Sequence, residues 1–341
     1  MKARASIGAL VATAAIAFAA CSSAASPAAP TPAAPTPAAS ESAGASAAPS
    51  ATPKTIGVVL ISANDPANHI MVTAAEAEAK TRGWTLNVID ANGSADAANT
   101  AIENLVQSKV DGILVAVFPS TALGAGLAKA NEAHIPVVSW GGGLDNGVLA
   151  ATDQGAPLAK PVAEQLVKDL QGKGEVLELT YHVGLICRNR ELALDEVLAG
   201  YPDIKVTKNE VVLPGYVESG ASSTTAWLAG HPAGSANLAV WGCWDGPATG
   251  ALSALEQAGR TDVKVYGQNG EAAAIKAIKD GKYTATMWED SATEGRQLII
   301  ALDDIFKAGS SWVPKTINVP GVLVTKDNVD QFIAEHPEVV Q

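Results

Sequence analysis

The stretch LAVWGCWDGPATGALSALEQAGRTDVKVYGQNG, Leu238 to Gly270, decides the fold. It opens on a short apolar run, turns through a polar segment holding Cys243, Trp244, Asp245 and Pro247, and continues as small residues of helical period. It closes on a second β-branched run and a Gly-rich turn. GILVAVFPSTALGAGLAKANEAHIPVVSWGG, Gly112 to Gly142, has the same grammar. Strands that are apolar almost throughout, alternating with helices, belong to parallel sheets covered on both faces. Two such halves in one folded body predict an α/β protein with two doubly wound parallel-sheet lobes.

Working outward, the same alternation runs from Lys54 onward. The strands are TIGVVLI, TLNVID, DGILVAV, IPVVSW, GEVLELT, IKVTKNEVV, NLAVWG, VKVYGQ and YTATMW, with helix candidates such as MVTAAEAEAKTRG and NTAIENLVQSKV between them. In open parallel sheets ligands bind outside the carboxyl ends of the strands. Two facing lobes would therefore make a cleft there, and the residues just after each strand become the informative ones.

The first fifty residues differ in kind. Lys2 and Arg4 precede the apolar run IGALVATAAIAFAA, which is too short to span a bilayer and reads as a secretory signal over residues 1–20. Phe18, Ala19, Ala20 and Cys21 resemble the lipobox of bacterial lipoproteins, which implies lipidation at Cys21 as the first mature residue. Residues 22–53 are almost wholly Ala, Pro, Ser and Thr, and their expected role is a disordered tether. A lipid anchor holds a protein to a membrane surface without spanning it. The expected location is therefore the outer face of the cytoplasmic membrane, with the membrane touched through the lipid alone.

Across 341 residues, 48% hydrophobic content is enough to bury a large core, and a net charge of −12 with no Lys/Arg run argues against nucleic acid as a partner. With Cys21 lipidated, Cys187 and Cys243 remain in an oxidising compartment, where a disulfide is permitted.

The strand ends carry Asn64, Asp65, Asn68 and His69 after the first strand, Trp140 after IPVVS, and Arg190 after VLELT. Tyr216 follows VVLPG, Trp244 and Asp245 follow LAVWGC, Asn269 follows VKVYG, and Trp288 and Glu289 close YTATM. Indole and phenol faces beside amides and charges suit an uncharged polyhydroxylated ligand, whose C–H faces pack on the rings while its hydroxyls meet the polar groups.

In TIGVVLISANDPANH, AHIPVVSW, DGPATGALSALEQAG and GEAAAIKAIKDGKYTATM, taken in order, the body from Lys54 to Val324 resembles the periplasmic sugar-binding proteins of ABC importers, near their ribose-binding branch. The resemblance implies two lobes joined by a three-strand hinge, with the ligand cleft between them. The crossings would lie near Thr152–Asp153, Glu289–Asp290 and Val319–Pro320. One lobe is then residues 54–152 with 290–319 and the other 153–289 with 320–341. It further implies hinge closure on a sugar or polyol, delivery to an ABC transporter permease, a monomer, and no cofactor or metal. The family's binding loop falls on Asn64 to Asn68, its cleft arginine on Arg190, its hinge-side aromatic on Tyr216, and later contacts on Trp244, Asn269 and Glu289. Gly141 and Gly142 stand where the ribose-binding branch has Asp-Arg, and Ala67 and Asn68 replace a Phe pair, so a ligand other than ribose is expected. A disulfide between Cys187 and Cys243 would pin the loop of Arg190 to that of Trp244.

Other readings compete. Asp65 and Asp245 could be helix caps, and His69 a solvated side chain. Arg190, in a first helical turn, is poorly placed against the helix dipole and needs an acidic or ligand partner. Trp241 belongs to the core. Neither cysteine has a His within its local motif, and no GxSxG, HExxH, CxxC or Walker A run occurs, so an enzyme is not expected. A repressor would need a basic helix-turn-helix before the first strand. The remaining alternative is a sensory binding protein for a small cyclic non-sugar ligand, docking on a receptor.

Overall fold

A computed structural model of the chain describes residues 52–234 and 237–340. The signal segment, Cys21 and the tether up to residue 51 lie outside the described residues.

Through the first ten strands an α-helix separates each strand from the next, except between the fourth and the fifth. In the first half β1 (Thr55–Leu60), α1 (Pro66–Thr81), β2 (Thr85–Asp90), α2 (Ala95–Gln107), β3 (Gly112–Ala116), α3 (Gly124–Glu132), β4 (Val137–Trp140) and β5 (Ala150–Thr152) follow one another. The second half runs α4 (Ala156–Leu170), β6 (Gly174–Thr180), α5 (Leu185–Leu198), β7 (Ile204–Glu210), α6 (Tyr216–Leu228), β8 (Leu238–Gly242), α7 (Asp245–Gln257), β9 (Val263–Asn269), α8 (Ala272–Lys279) and β10 (Ala285–Trp288). The chain ends with α9 (Ser291–Ala308), β11 (Lys315–Ile317), β12 (Val322–Thr325) and α10 (Val329–Glu335).

These strands form two six-stranded sheets, ordered β11-β5-β4-β3-β1-β2 and β12-β10-β9-β8-β6-β7. All pairings are parallel except β10 with β12. The order within each sheet reverses beside β1 or β6, the arrangement of a doubly wound sheet, where a crevice opens at the strands' carboxyl ends. β3, β4 and β8 are buried along their whole length, as their uninterrupted apolar sequence requires, while β2 and β7 at the edges expose polar side chains. Trp241 lies fully inside the core.

The chain passes between the sheets three times: at 153–155 after β5, at 289–290 after β10, and at 318–321 between β11 and β12. Asp290 serves the second passage by capping α9, its Oδ1 accepting from Thr293 N at 2.8 Å. That helix packs back on α1 of the first lobe.

The structure adds three strands that periodicity does not reveal: β5 and β11, of three residues each, and β12 of four. Segments this short carry no readable period and exist through pairing with their neighbours. β7 stops at Glu210, two residues short of the apolar run in the sequence.

Cys187 and Cys243 are joined, with Cα atoms 5.3 Å apart. Cys187 sits in the first turn of α5 and not on a loop, so the bond ties a helix N-terminus to the end of β8. A cross-link spanning 56 residues restricts the unfolded chain by about 4 kcal/mol in the chain-entropy model. Chemical denaturation of the native protein and of a Cys187→Ala/Cys243→Ala variant should differ by that order, and equal midpoints would show that the bridge does not constrain the unfolded chain.

Candidate functional site

Facing strand ends line a cavity. Both lobes contribute. Asp65, Asn68 and Trp140 come from the first sheet's side, and Arg190, Trp244 and Asn269 from the second, with Glu289 on the passage after β10.

Arg190 organises the polar part. It is 2% exposed and spends four of its five N–H groups within the protein. Nε donates to Gln154 O at 2.9 Å, and Nη1 to Cys243 O at 2.8 Å and Asn269 Oδ1 at 2.9 Å. Nη2 donates to Glu289 Oε2 at 2.9 Å. Two of these partners, Gln154 and Glu289, lie on passages between the sheets, so this side chain ties the second lobe to the connections as well as to the ligand space. Arg190 is the sixth residue of α5, in its second turn and not its first. The carboxylate that its charge calls for is Glu289.

From the other lobe, Asp65 caps α1: Asn68 N and Asn68 Nδ2 donate to its Oδ1 at 3.1 and 2.9 Å. Because Nδ2 is thus committed, the free atom of the Asn68 amide is Oδ1, which is buried and has no partner among the described residues. Burial pushes the Asp65 carboxyl above its ordinary range despite these donors. The cap reading and the cleft reading of Asp65 therefore hold together.

Trp140 is fixed through its indole N–H, Nε1 donating to Glu294 Oε2 at 2.7 Å, and the same oxygen accepts from Gln154 Nε2 at 2.7 Å. Glu294, on α9, thus fixes a cleft wall to a passage between the sheets. Val117, at the end of β3, has φ 72°, a left-handed backbone costing a β-branched residue on the order of 1–3 kcal/mol. It is held there by Val117 N donating to Trp140 O at 2.8 Å and by Leu185 N of the opposite lobe donating to Val117 O at 3.3 Å.

Five residues expected at the site stand elsewhere. Asn64 and His69 are exposed on the rim, Asn64 accepting through its carbonyl from Tyr216 Oη at 3.5 Å. Tyr216 stands behind the cleft wall, its ring centre 5.3 Å from that of Trp244. Trp288 turns away from the cavity to pack on Phe332 and His336. Asp245 neither caps α7, which begins at Asp245 itself, nor reaches the cavity. It is wholly buried, and its Oδ1 accepts from Tyr283 Oη at 2.9 Å and Thr286 Oγ1 at 2.8 Å, while Oδ2 accepts from Glu271 N at 2.8 Å. It braces the β9–α8 turn that presents Asn269.

Residues the sequence did not single out complete the lining: Ile61, Ser62, Val117, Tyr181, Ile186 and Leu213. Ile61, Val117 and Tyr181 do stand at strand ends, but an apolar residue there reads equally well as core.

The similarities of the chain point the same way. A family model described as a periplasmic binding protein domain matches residues 56–310. The ribose import binding protein RbsB of Bacillus subtilis is 30% identical over 280 residues, covering 80% of this chain and 87% of that protein. A xylitol-binding protein of Mycolicibacterium smegmatis is 29% identical, with 72% of this chain and 70% of that protein covered. An ABC transporter solute binding protein from Agrobacterium vitis, solved with bound allitol, superposes with a TM-score of 0.78 at 27% identity, over 84% of this chain and 99% of that one.

Burial also raises Asp245 to about 7, against the pull of its donors, and Glu289 to about 6, against the pull of Arg190. A carboxyl whose folded pKa lies above its unfolded value holds its proton longer when folded. Its stabilising contribution is complete below the unfolded value near 4 and is lost as pH rises through the folded one. The thermal midpoint should therefore fall between pH 5 and pH 8, and Asp245→Asn should flatten that fall. An unchanged slope in the variant would mean that Asp245 does not titrate in this window.

Proposed function

Because the chain belongs to the family of periplasmic binding protein domains, we propose that it is an extracytoplasmic solute-binding protein that captures a small sugar or polyol between its lobes and delivers it to an ABC import permease. The observation that carries this reading is the cavity itself, lined from both lobes at the strands' carboxyl ends by indole side chains and a buried cluster of carboxylate, amide and guanidinium groups. The names of the relatives, for ribose and xylitol, and the allitol held by the Agrobacterium vitis structure support a polyhydroxylated ligand.

The ligand contacts are Asp65, Asn68, Trp140, Arg190, Trp244, Asn269 and Glu289. Hydroxyls accept from the remaining N–H of Arg190 and donate to Asn68 Oδ1 and to the carboxylates of Asp65 and Glu289, while C–H faces pack on Trp140 and Trp244. The moving bodies are residues 54–152 with 290–319 and residues 153–289 with 320–341. Direct hydrogen bonds between the lobes include Leu185 N to Val117 O and Tyr216 Oη to Asn64 O. A ligand held by both halves adds to these and shifts the hinge toward closure, because only differential contact with the two states moves the equilibrium. The closed monomer is the form presented to the permease. Cys21 carries the lipid, residues 22–53 are the tether, and the role is capture and delivery, not catalysis.

Thermal unfolding in the presence of pentoses, hexoses, pentitols and hexitols tests the reading, since a ligand at a hundred times its Kd stabilises by about 2.7 kcal/mol. At least one should raise the midpoint and reduce the radius of gyration in solution scattering. Arg190→Met should weaken that ligand by roughly a hundredfold, because it strands Glu289 in the interior. A midpoint moved by some other chemical class, and by none of these, would overturn the substrate class.

A further inference from the structure

The cavity has two unlike sides. Its polar groups form linked sets: Asp65 with Asn68 from one lobe, and Arg190 with Asn269 and Glu289 from the other. Most of the remaining lining is apolar, and its uncommitted polar atoms are the hydroxyls of Ser62 and Tyr181 and the indole N–H of Trp244. Ile61 and Val117 from the first lobe meet Ile186 and Leu213 from the second, and Trp140 has already given its only N–H to Glu294.

The apolar wall is continuous. A β-carbon placed at Gly141 would overlap Ile186 Cδ1, so Ile186 fills the space where a side chain of the β4 turn would otherwise project. At Gly184 the nearest atoms are Val117 Cγ1 at 3.1 Å and the Tyr181 ring at 3.5 Å, and at Gly93 they include Leu213 Cδ2 at 2.9 Å and Tyr181 Oη at 3.3 Å. Val117, Tyr181 and Leu213 therefore stand in series across the lobe interface.

A ligand carrying a hydroxyl on every carbon would have to bury some of them against this surface. A hydroxyl set on Ile186, Val117 or Leu213 gives up its water and finds no partner on those side chains, whereas a methyl or methylene group in its place gains by leaving water. We infer that the ligand is a polyol or sugar with one deoxygenated or alkyl-substituted end, its hydroxylated end held by Asp65, Asn68, Arg190 and Glu289 and its apolar end seated on Ile186, Val117 and Leu213. The inference rests on the reading of the cleft as a carbohydrate-type site, and Ile186 becomes the residue that sets specificity within that class.

The test uses matched pairs differing by one terminal hydroxyl: D-ribose with 5-deoxy-D-ribose, D-galactose with D-fucose, and xylitol with 1-deoxyxylitol. Calorimetric titration of the full mature chain should find the deoxy member tighter by roughly tenfold or more in at least one pair. Equal or tighter binding of the hydroxylated member in every pair that binds would overturn this inference while leaving the carbohydrate reading intact. No binding by any of the six would overturn both. Ile186→Thr, which places a hydroxyl on the wall at little change in volume, should narrow or reverse the preference, with the unliganded thermal midpoint as the check on folding. Should that variant not fold, Val117→Thr provides the same readout. An undiminished deoxy preference in a folded variant would show that this wall does not set it.

Discussion

A guanidinium group with almost no access to water stands at the centre of this protein, and much of the cleft is arranged to satisfy it. Burying a charge is costly unless it is paired and hydrogen-bonded. Arg190 meets that demand with a backbone carbonyl at the end of β8, an amide at the end of β9, a carboxylate after β10 and a carbonyl on the passage after β5. These four acceptors come from segments far apart in the chain. One side chain thus positions three cleft-lining loops relative to the connections about which the lobes would turn, and the Cys187–Cys243 bridge fixes the start of its helix to one of those loops.

The acidic surroundings follow from the same arrangement. Asp65, Asp245, Glu289 and Glu294 are all buried near a single buried arginine, and burial raises every one of them. Their roles nevertheless differ. Asp245 and Glu294 are structural, bracing a turn and a tryptophan, whereas Asp65 and Glu289 face the cavity. Titration alone would not separate them, but the geometry does.

How far the sequence could be read depends on what kind of signal each feature leaves. The buried parallel strands announce themselves as unbroken apolar runs, and all nine runs marked in the sequence are strands in the structure. Strand-end position was also a sound guide to polar and aromatic cleft residues such as Asp65, Trp140 and Asn269. It failed where one position has two directions available: Trp288 ends its strand as Trp140 does, yet turns to Phe332 and His336, because α10 offers it an apolar partner. Leu213 and Ile186 left no signal of their own, since a leucine or isoleucine that lines a cavity is indistinguishable in sequence from one that fills a core.

Alone, the sequence determined the secondary structure of the body and its α/β class, because burial on both faces of a parallel sheet imposes a composition that can be read locally. It also marked the strand ends as the place to look. Only the tertiary structure decided which of those ends face the cavity, which carboxylates brace and which remain free, and that aliphatic side chains from both lobes line one side of the cleft. Those properties depend on distances between residues as far apart as Val117 and Leu185, or Arg190 and Glu289, and no local pattern encodes them.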